Sequence, residues 1–173
     1  MDYSTRPKPT GHSEYHQAFI NKAPDGDITE LLTQQVDSFS EFVNSIPSDQ
    51  SGVVHSPYGW SVRQVVEHCL DTERVFGYRM LRFGAGDKTA LPSWEQDDYA
   101  AADYGPNADL KQLADEFCWQ RKSNIGLLRR MSPEAWEEIG TADEKQVAVR
   151  SMAWLLAGHL IHHVDILKQR LAT

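Results

Sequence analysis

The sequence predicts an all-α protein: a four-helix bundle with a long crossover between helices 2 and 3. Four segments carry apolar residues at the three- and four-residue spacing of one helix face, and no segment alternates long enough to form a convincing strand. Residues 84–106, which are rich in glycine, proline and acidic residues, separate the second segment from the third. A connection of this length suits a crossover that leaves two consecutive helices parallel. A plain surface loop, or the cover of a pocket, would give the same pattern.

Length and charge restrict the class of protein. The 173 residues suit a single domain, residues 1–173, with an ordinary core. A formal net charge of −8 argues against binding to nucleic acid or to an anionic membrane. No apolar run approaches the ~20 residues that span a bilayer, and the first ten residues resemble no signal peptide. We therefore expect a cytoplasmic protein, in which Cys69 and Cys118 are buried thiols rather than a disulfide.

The first long helix follows an irregular N-terminal segment, residues 1–26, which we expect to pack on the bundle through Tyr15, Phe19 and Ile20. Asp27 can cap the helix, with Glu30 three residues later, and the helix ends before Pro47. Its apolar face consists of Leu31, Leu32, Val36, Phe39, Phe42, Val43 and Ile46.

The second long helix has the clearest start. Ser61 and Gln64 form the pattern of a capping box, and the apolar face extends to about Phe83, where Gly84 ends the helix. His68 lies beside that face. A lone histidine at such a position is either a core-edge residue that bonds to a neighbour or a ligand.

The third long helix is predicted from about Ala108 to Arg130. A helical turn with proline at its first position then runs from Ser132 to Trp136, and residues 140–146 are predicted as loop. The apolar runs 53–55 and 147–149 are too short to pair without partners.

The last helix, residues 149–171, carries histidines within its apolar seam. The seam is Met152, Leu156, His159, His163, Ile166 and Arg170, spaced by four and three residues. His159 and His163 are one turn apart and point the same way, whereas His162 lies about 100° around the helix axis. Such a pair is either half of a metal site or two core-edge histidines that bond to neighbours.

A metal site needs at least a third ligand, and His68 on the second helix is the best internal candidate. Imidazole groups from facing helices of a bundle can meet at one point. Three protein ligands plus water would make a catalytic type of site. Asp71 or Glu73 could orient a ligand histidine or move a proton, but salt bridges with Arg74 or Arg79 are the ordinary alternative. Four aromatic residues could line a pocket or belong to the core: Trp60, Tyr78, Trp94 and Trp154.

Three motifs together resemble the DinB superfamily, closest to the YfiT-like metal-dependent hydrolases and thiol S-transferases. They are Tyr58-Gly59-Trp60-Ser61-Val62, the run from His68 through Asp71, Glu73 and Arg74 to Phe83, and Gly158-His159-x-x-His162-His163. The resemblance covers nearly the whole chain. One departure is Ala148, because relatives often have Ser or Thr as the cap of the last helix.

The resemblance implies a bundle with a long crossover and a divalent metal ion held by His68, His159 and His163. Zn or Ni is the first expectation for the metal, with Fe or Mn as alternatives. Relatives include enzymes that act with low-molecular-weight thiols such as bacillithiol, mycothiol or glutathione, and some are homodimers.

Two classes of function follow. The first is an enzyme whose metal activates water, as in a hydrolase, or a low-molecular-weight thiol, as in an S-transferase. The second is a non-catalytic binding or stress-response module that the metal stabilises. Metal content and the effect of a chelator on stability separate the two classes.

Overall fold

The computed structural model describes residues 2–8 and 14–172, with only the backbone of Tyr15. The helices are α1 (Glu14–Lys22), α2 (Ile28–Asn44), α3 (Val62–Gly84), α4 (Gln96–Ala102), α5 (Leu110–Arg129), α6 (Pro133–Glu137) and α7 (Val149–Leu171). A 3₁₀ turn, Ser48–Gln50, follows α2, and the strands β1 (Ile139–Ala142) and β2 (Lys145–Ala148) lie between α6 and α7. No helix among the described residues is both long enough and apolar enough to cross a bilayer.

The helices α3 and α5 are parallel, as the crossover predicts. Contacts advance in the same direction along the two helices: Arg74 of α3 bonds to Glu116 of α5, and Gly77, three residues later, lies against Asn124. At the far end, Gly84 lies against Met131, just beyond α5. The predicted four-helix bundle with a long crossover is therefore confirmed.

The other contacts between the long helices complete the ring. The rings of Phe39 in α2 and Phe117 in α5 are in contact, with centroids 4.4 Å apart, and the side chain of Gln35 in α2 donates to the carbonyl of Ala157 in α7. The helices α3 and α7 are antiparallel, because the start of α3 meets the end of α7. This antiparallel contact carries the three candidate histidines.

Local sequence signals explain where the long helices begin. Ser61 and Gln64 form both hydrogen bonds of the predicted capping box at α3, and Asp27 accepts from two backbone N–H groups at α2. Ala148 provides no side-chain cap for α7. Instead, the N–H of Val149 donates to the carbonyl of Glu138 at 3.0 Å. The hairpin therefore provides a hydrogen-bond partner for one of the free N–H groups at the start of α7.

The prediction of an irregular N-terminal segment is wrong for residues 14–22, which form α1. A helix of nine residues is marginal alone, so its stability depends on packing against α7. The two helices touch at Gly158, where an added Cβ would lie 1.8 Å from the carbonyl oxygen of Phe19. Phe19 and Ile20 are buried, as predicted, whereas the side chain of Tyr15 lies outside the described part.

The crossover and the segment before α7 contain more structure than the sequence indicated. Residues 84–106 include α4, and the predicted loop at 140–146 belongs to an antiparallel hairpin in which Ile139 pairs with Ala148. Its two-residue turn has φ of 52° at Asp143 and 57° at Glu144. This turn conformation favours Asn-Gly or Asp-Gly, so Asp-Glu gave no hairpin signal. Leu91 of the crossover exchanges backbone hydrogen bonds with this hairpin, at Thr141 and Asp143.

Both cysteines are free, as expected: Cys69 is buried and Cys118 is half-buried. Burial raises the pKa of the Cys69 thiol well above its usual value. Cys69 is therefore an inert core residue despite its place next to His68.

Candidate metal centre

Three histidine side chains converge between α3 and α7. Nε2 of His159 lies 3.0 Å from Nε2 of His68 and 3.1 Å from Nε2 of His163. The ligand-capable nitrogens of all three lie within 4.8 Å of one another. These are the three histidines that the sequence analysis selected, and the structure brings them together.

The helices fix this arrangement. His159 and His163 are one turn apart on α7, and antiparallel α3 brings His68 to the same level. His162, also on α7, instead contacts Phe19 of α1 at a centroid distance of 5.1 Å and is not part of the group. The group therefore contains His163, which the heptad spacing selected, and not its neighbour His162.

The nitrogen geometry suits a cation better than hydrogen bonding alone. Three nitrogens that bind one zinc ion at about 2.0–2.1 Å lie roughly 3–3.5 Å from one another, and both short separations fall near this range. In a neutral imidazole, Nε2 has either one proton or one lone pair. Nε2 of His159 therefore cannot make good hydrogen bonds to both neighbours at once. A cation shared by the three rings removes this conflict.

Burial keeps the three rings neutral. It lowers the pKa of His68 to about 4 and that of His163 to about 2, and repulsion from neighbouring histidines in their protonated form adds to the shift. Burial also holds the pKa of His159, with an exposed fraction of 7%, well below the usual value. At neutral pH all three lone pairs are available to a metal ion without displacing a proton.

Aromatic rings enclose the centre. Trp94 of the crossover stacks on His68 with an interplanar angle of 12°, and Trp60 meets the same ring edge-on. Phe19 covers His159 from the side of α1. Of the four aromatic candidates, Tyr78 is instead half exposed beside Arg82, and Trp154 is buried in the core.

Asp71, one of the two predicted catalytic acids, lies near the centre but is held by other groups. The hydroxyl of Tyr104 donates to its two oxygens at 2.7 and 2.9 Å, and Arg74 donates at 3.0 Å. Asp71 and His68 line the same small cavity beneath Trp94. Its catalytic role stays a prediction, and the expected salt bridge with Arg74 is present.

Glu73, the other predicted acid, points away from the histidines towards α5. Arg121 pairs with its Oε1 at 2.7 Å and Asn124 donates to its Oε2 at 2.9 Å. Within the described residues, no hydrogen bond joins Glu73 to the three histidines. Its geometry favours a structural role over the predicted catalytic one.

A cavity of about 410 Å³ opens beside the histidines. One wall is a single face of α3, formed by His68, Thr72, Phe76 and Arg79. Trp94 and the hairpin, including Lys145, form other walls. The sequence analysis did not select Arg79 for the pocket, although its spacing from His68 places both on one helix face.

A model of the DinB superfamily matches residues 31–167, most of the chain. The chain belongs to the DinB superfamily. The match includes α3 and the three histidines, so the resemblance that the motifs indicated is confirmed.

Solved structures of other DinB-like proteins share the fold. YfiT from Bacillus subtilis, described as a probable metal-dependent hydrolase with an unusual four-helix bundle topology, superposes with a TM-score of 0.76. It is 15% identical, over 96% of this chain and 91% of YfiT. A mycothiol-dependent maleylpyruvate isomerase has a TM-score of 0.66 and 16% identity, over 88% of this chain. This DinB-superfamily chain spans only 62% of the isomerase. A search among curated proteins found no match.

Proposed function

We propose that this DinB-superfamily protein is a metal-dependent enzyme in which His68, His159 and His163 hold one divalent cation. The observation that carries the proposal is the convergence of three neutral imidazole nitrogens from two helices at the end of a cavity. The relatives support it, since one is described as a probable metal-dependent hydrolase and another as a mycothiol-dependent isomerase. Zn or Ni suits an all-imidazole ligand set.

The protein's own residues do three things at this centre. The helices α3 and α7 hold the imidazoles in place before a ligand arrives. Trp60, Trp94 and Phe19 shield the rings from water on three sides, while the cavity leaves access for a substrate. Three protein ligands leave coordination positions open. A bound divalent cation supplies Lewis acidity, which lowers the pKa of water or of a low-molecular-weight thiol at neutral pH.

The metal content of the untagged protein tests the centre. We expect about one divalent metal ion per chain in the parent protein, and loss of most of it in His68→Ala, His159→Ala and His163→Ala. The matched control is His162→Ala, which removes an imidazole from the same turn of α7 but outside the group. The proposal fails if the parent protein binds no metal, or if His159→Ala and His162→Ala retain equal amounts.

Turnover assays separate an enzyme from a metal-stabilised binding module. The metal-loaded protein is assayed for thiol transfer with bacillithiol, mycothiol and glutathione, and for hydrolysis of amide and ester substrates. We expect activity in one class that chelation abolishes and metal restores. Loss of stability on chelation, with no turnover in either class, would favour the binding module. A homodimer and a cytoplasmic location remain predictions from the sequence.

A further inference from the structure

Arg79 presents a buried cation to the cavity. Its exposed fraction is 8%, yet it lines the cavity beside the metal centre. Within the described residues, its guanidinium group makes one hydrogen bond, from Nη2 to the carbonyl of Pro92 at 3.0 Å, and no carboxylate lies within salt-bridge distance. Burial lowers its pKa, and the nearby Asp143 offsets only part of that effect.

Two other buried arginines, Arg63 and Arg121, have carboxylate partners, and a third, Arg170, donates from Nη2 to the backbone carbonyls of Val53 and Trp60. Arg63 pairs with Glu67 at 2.7 Å and also with Asp103, and Arg121 pairs with Glu73 at 2.7 Å. A buried charge is unfavourable unless it is paired. The guanidinium group of Arg79 retains donors that the protein does not use, and these donors suit bidentate binding of a carboxylate.

The position of Arg79 sets the length of the ligand. His68 and Arg79 lie on one face of α3, eleven residues and therefore roughly 16 Å apart along the helix axis. Helical side chains lean towards the N-terminus, so the long side chain of Arg79 reaches back towards the histidines. A ligand that contacts both the metal centre and Arg79 must be elongated, with its reactive group at one end and its anionic group at the other.

The other charges in the cavity favour a monoanion. Asp143 lines the wall and already engages Lys145 at 2.5 Å, so that lysine is not free for a ligand. Glu95 and Asp97, both in the crossover, also line the cavity. A doubly charged phosphate would be repelled by these carboxylates and attracted only by Arg79. A singly charged carboxylate is matched by one guanidinium group.

We propose that Arg79 is a specificity-determining residue that binds the carboxylate of an elongated ligand, the other end of which reaches the metal centre. This inference rests on the proposed function, because the metal centre anchors the reactive end. Phe76 orients Arg79 by contact with the guanidinium group at 5.5 Å, and the carbonyl of Pro92 fixes its position. Arg79 thereby selects between substrates that carry a terminal carboxylate and neutral ones of the same length.

The test uses cobalt-loaded protein and a matched pair of thiol probes, mercaptooctanoate and mercaptooctanol. Thiolate binding changes the visible spectrum of cobalt, which gives a readout independent of turnover. We expect the parent protein to bind the carboxylate probe roughly tenfold to a hundredfold more tightly, as a charge-assisted hydrogen bond to a buried group implies. Arg79→Gln should abolish this preference and Arg79→Lys should retain part of it. Mercaptoacetate is too short to reach Arg79 from the metal ion, so its affinity should be the same in the parent protein and in Arg79→Gln.

Arg82→Gln is the matched control, because it removes the same charge from α3 at a residue that pairs with Asp87 and does not line the cavity. It should leave the preference intact. Thermal unfolding and cobalt content confirm that each variant is folded and loaded. Equal binding of the two long probes by the parent protein, or a preference that survives Arg79→Gln, overturns the inference and leaves the metal centre standing. If neither long probe nor mercaptoacetate changes the spectrum of bound cobalt, the thiol branch of the proposed function fails instead, and this inference with it.

Discussion

His159 is held by contacts from three helices. Its ring lies between His68 and His163 and against Phe19, and Gly158 precedes it where α1 approaches most closely. Residues on α1, α3 and α7 therefore fix one imidazole. A small shift of any of these helices changes the nitrogen separations on which metal binding depends.

The lowered pKa values of the histidines predict acid sensitivity in the metal-free protein. Above about pH 6.5 the histidines are neutral in both the folded and the unfolded state, so they add no pH dependence. As the pH falls from 6.5 towards 4, the unfolded chain binds a proton at His68 and the folded chain does not, so stability is lost on the order of 3 kcal/mol. Urea unfolding in the presence of chelator at several pH values measures this loss.

The control for this titration is His68→Gln, which removes one of the three shifted groups and should make the loss of stability between pH 6.5 and 4 less steep, while His159 and His163 maintain the rest of it. Metal-loaded protein should resist acid better than the metal-free form, because the cation competes with protons for the same lone pairs. Identical acid profiles for the parent protein and His68→Gln would contradict the expectation.

At the scale of elements, the contact between α1 and α7 joins the N-terminal segment to the metal centre. Gly158 allows the backbone of α1 to lie directly on α7, and Phe19 then covers His159. The sequence predicted the burial of Phe19 but not the helix that carries it.

Gly158→Ala should destabilise the protein by about 1–3 kcal/mol, because the added methyl group would meet the Phe19 backbone and must displace α1. Metal affinity should fall as well, since Phe19 contacts His159. The matched control is Gly126→Ala on α5, where an added Cβ meets nothing within 4 Å. That change should stabilise the protein by about 0.5–1 kcal/mol. Thermal unfolding and metal titration of both variants provide the measurement, and similar effects of the two would refute this role for Gly158.

At the scale of the whole molecule, one buried polar network connects all four long helices. Arg121 of α5 pairs with Glu73 of α3 and donates to Oε1 of Gln35 in α2 at 2.7 Å. Gln35 in turn donates to the carbonyl of Ala157 in α7 at 3.0 Å. Both charged side chains of the pair are only 1% exposed. The network joins the four helices through polar groups, and within it both carboxylate oxygens of Glu73 are bonded to α5.

Removing one member of the Glu73–Arg121 pair should reduce the free energy of unfolding much more than replacing both members. Arg121→Met alone should cost about 3–5 kcal/mol, because it leaves the carboxylate of Glu73 buried without its charge partner. The double variant Glu73→Leu with Arg121→Met should be considerably more stable than the sum of the single changes implies. Denaturant unfolding of the full cycle measures the coupling.

The more exposed pair of Arg74 and Glu116 is the comparison for this cycle. Removing its carboxylate in Glu116→Gln should change stability by about 1 kcal/mol or less. Glu73→Gln should also leave the metal content unchanged. If Glu73 were instead catalytic or oriented a ligand, this substitution would reduce turnover or metal binding without a large loss of stability.

Long, strongly patterned segments were predictable, and structure that depends on distant contacts was not. The capping box at Ser61 and the seam of His159 and His163 are local patterns, and both are confirmed. The helix α1 depends on a glycine far along the chain, and the hairpin turn at Asp143 and Glu144 lacks its usual residues. The sequence indicated Arg79 only as a possible salt-bridge partner of Asp71 or Glu73, because only the folded structure shows that its side chain lines the cavity.

The crossover has a consequence for how relatives of this protein could diverge. The nitrogens of the candidate metal centre come from two helices, whereas Trp94, Glu95 and Asp97 reach the cavity from the connection between α3 and α5. Insertions or substitutions in that connection can reshape the entrance without moving a single imidazole. The same three histidines can in this way be inherited unchanged while the shape and charge of the cavity beside them evolve separately.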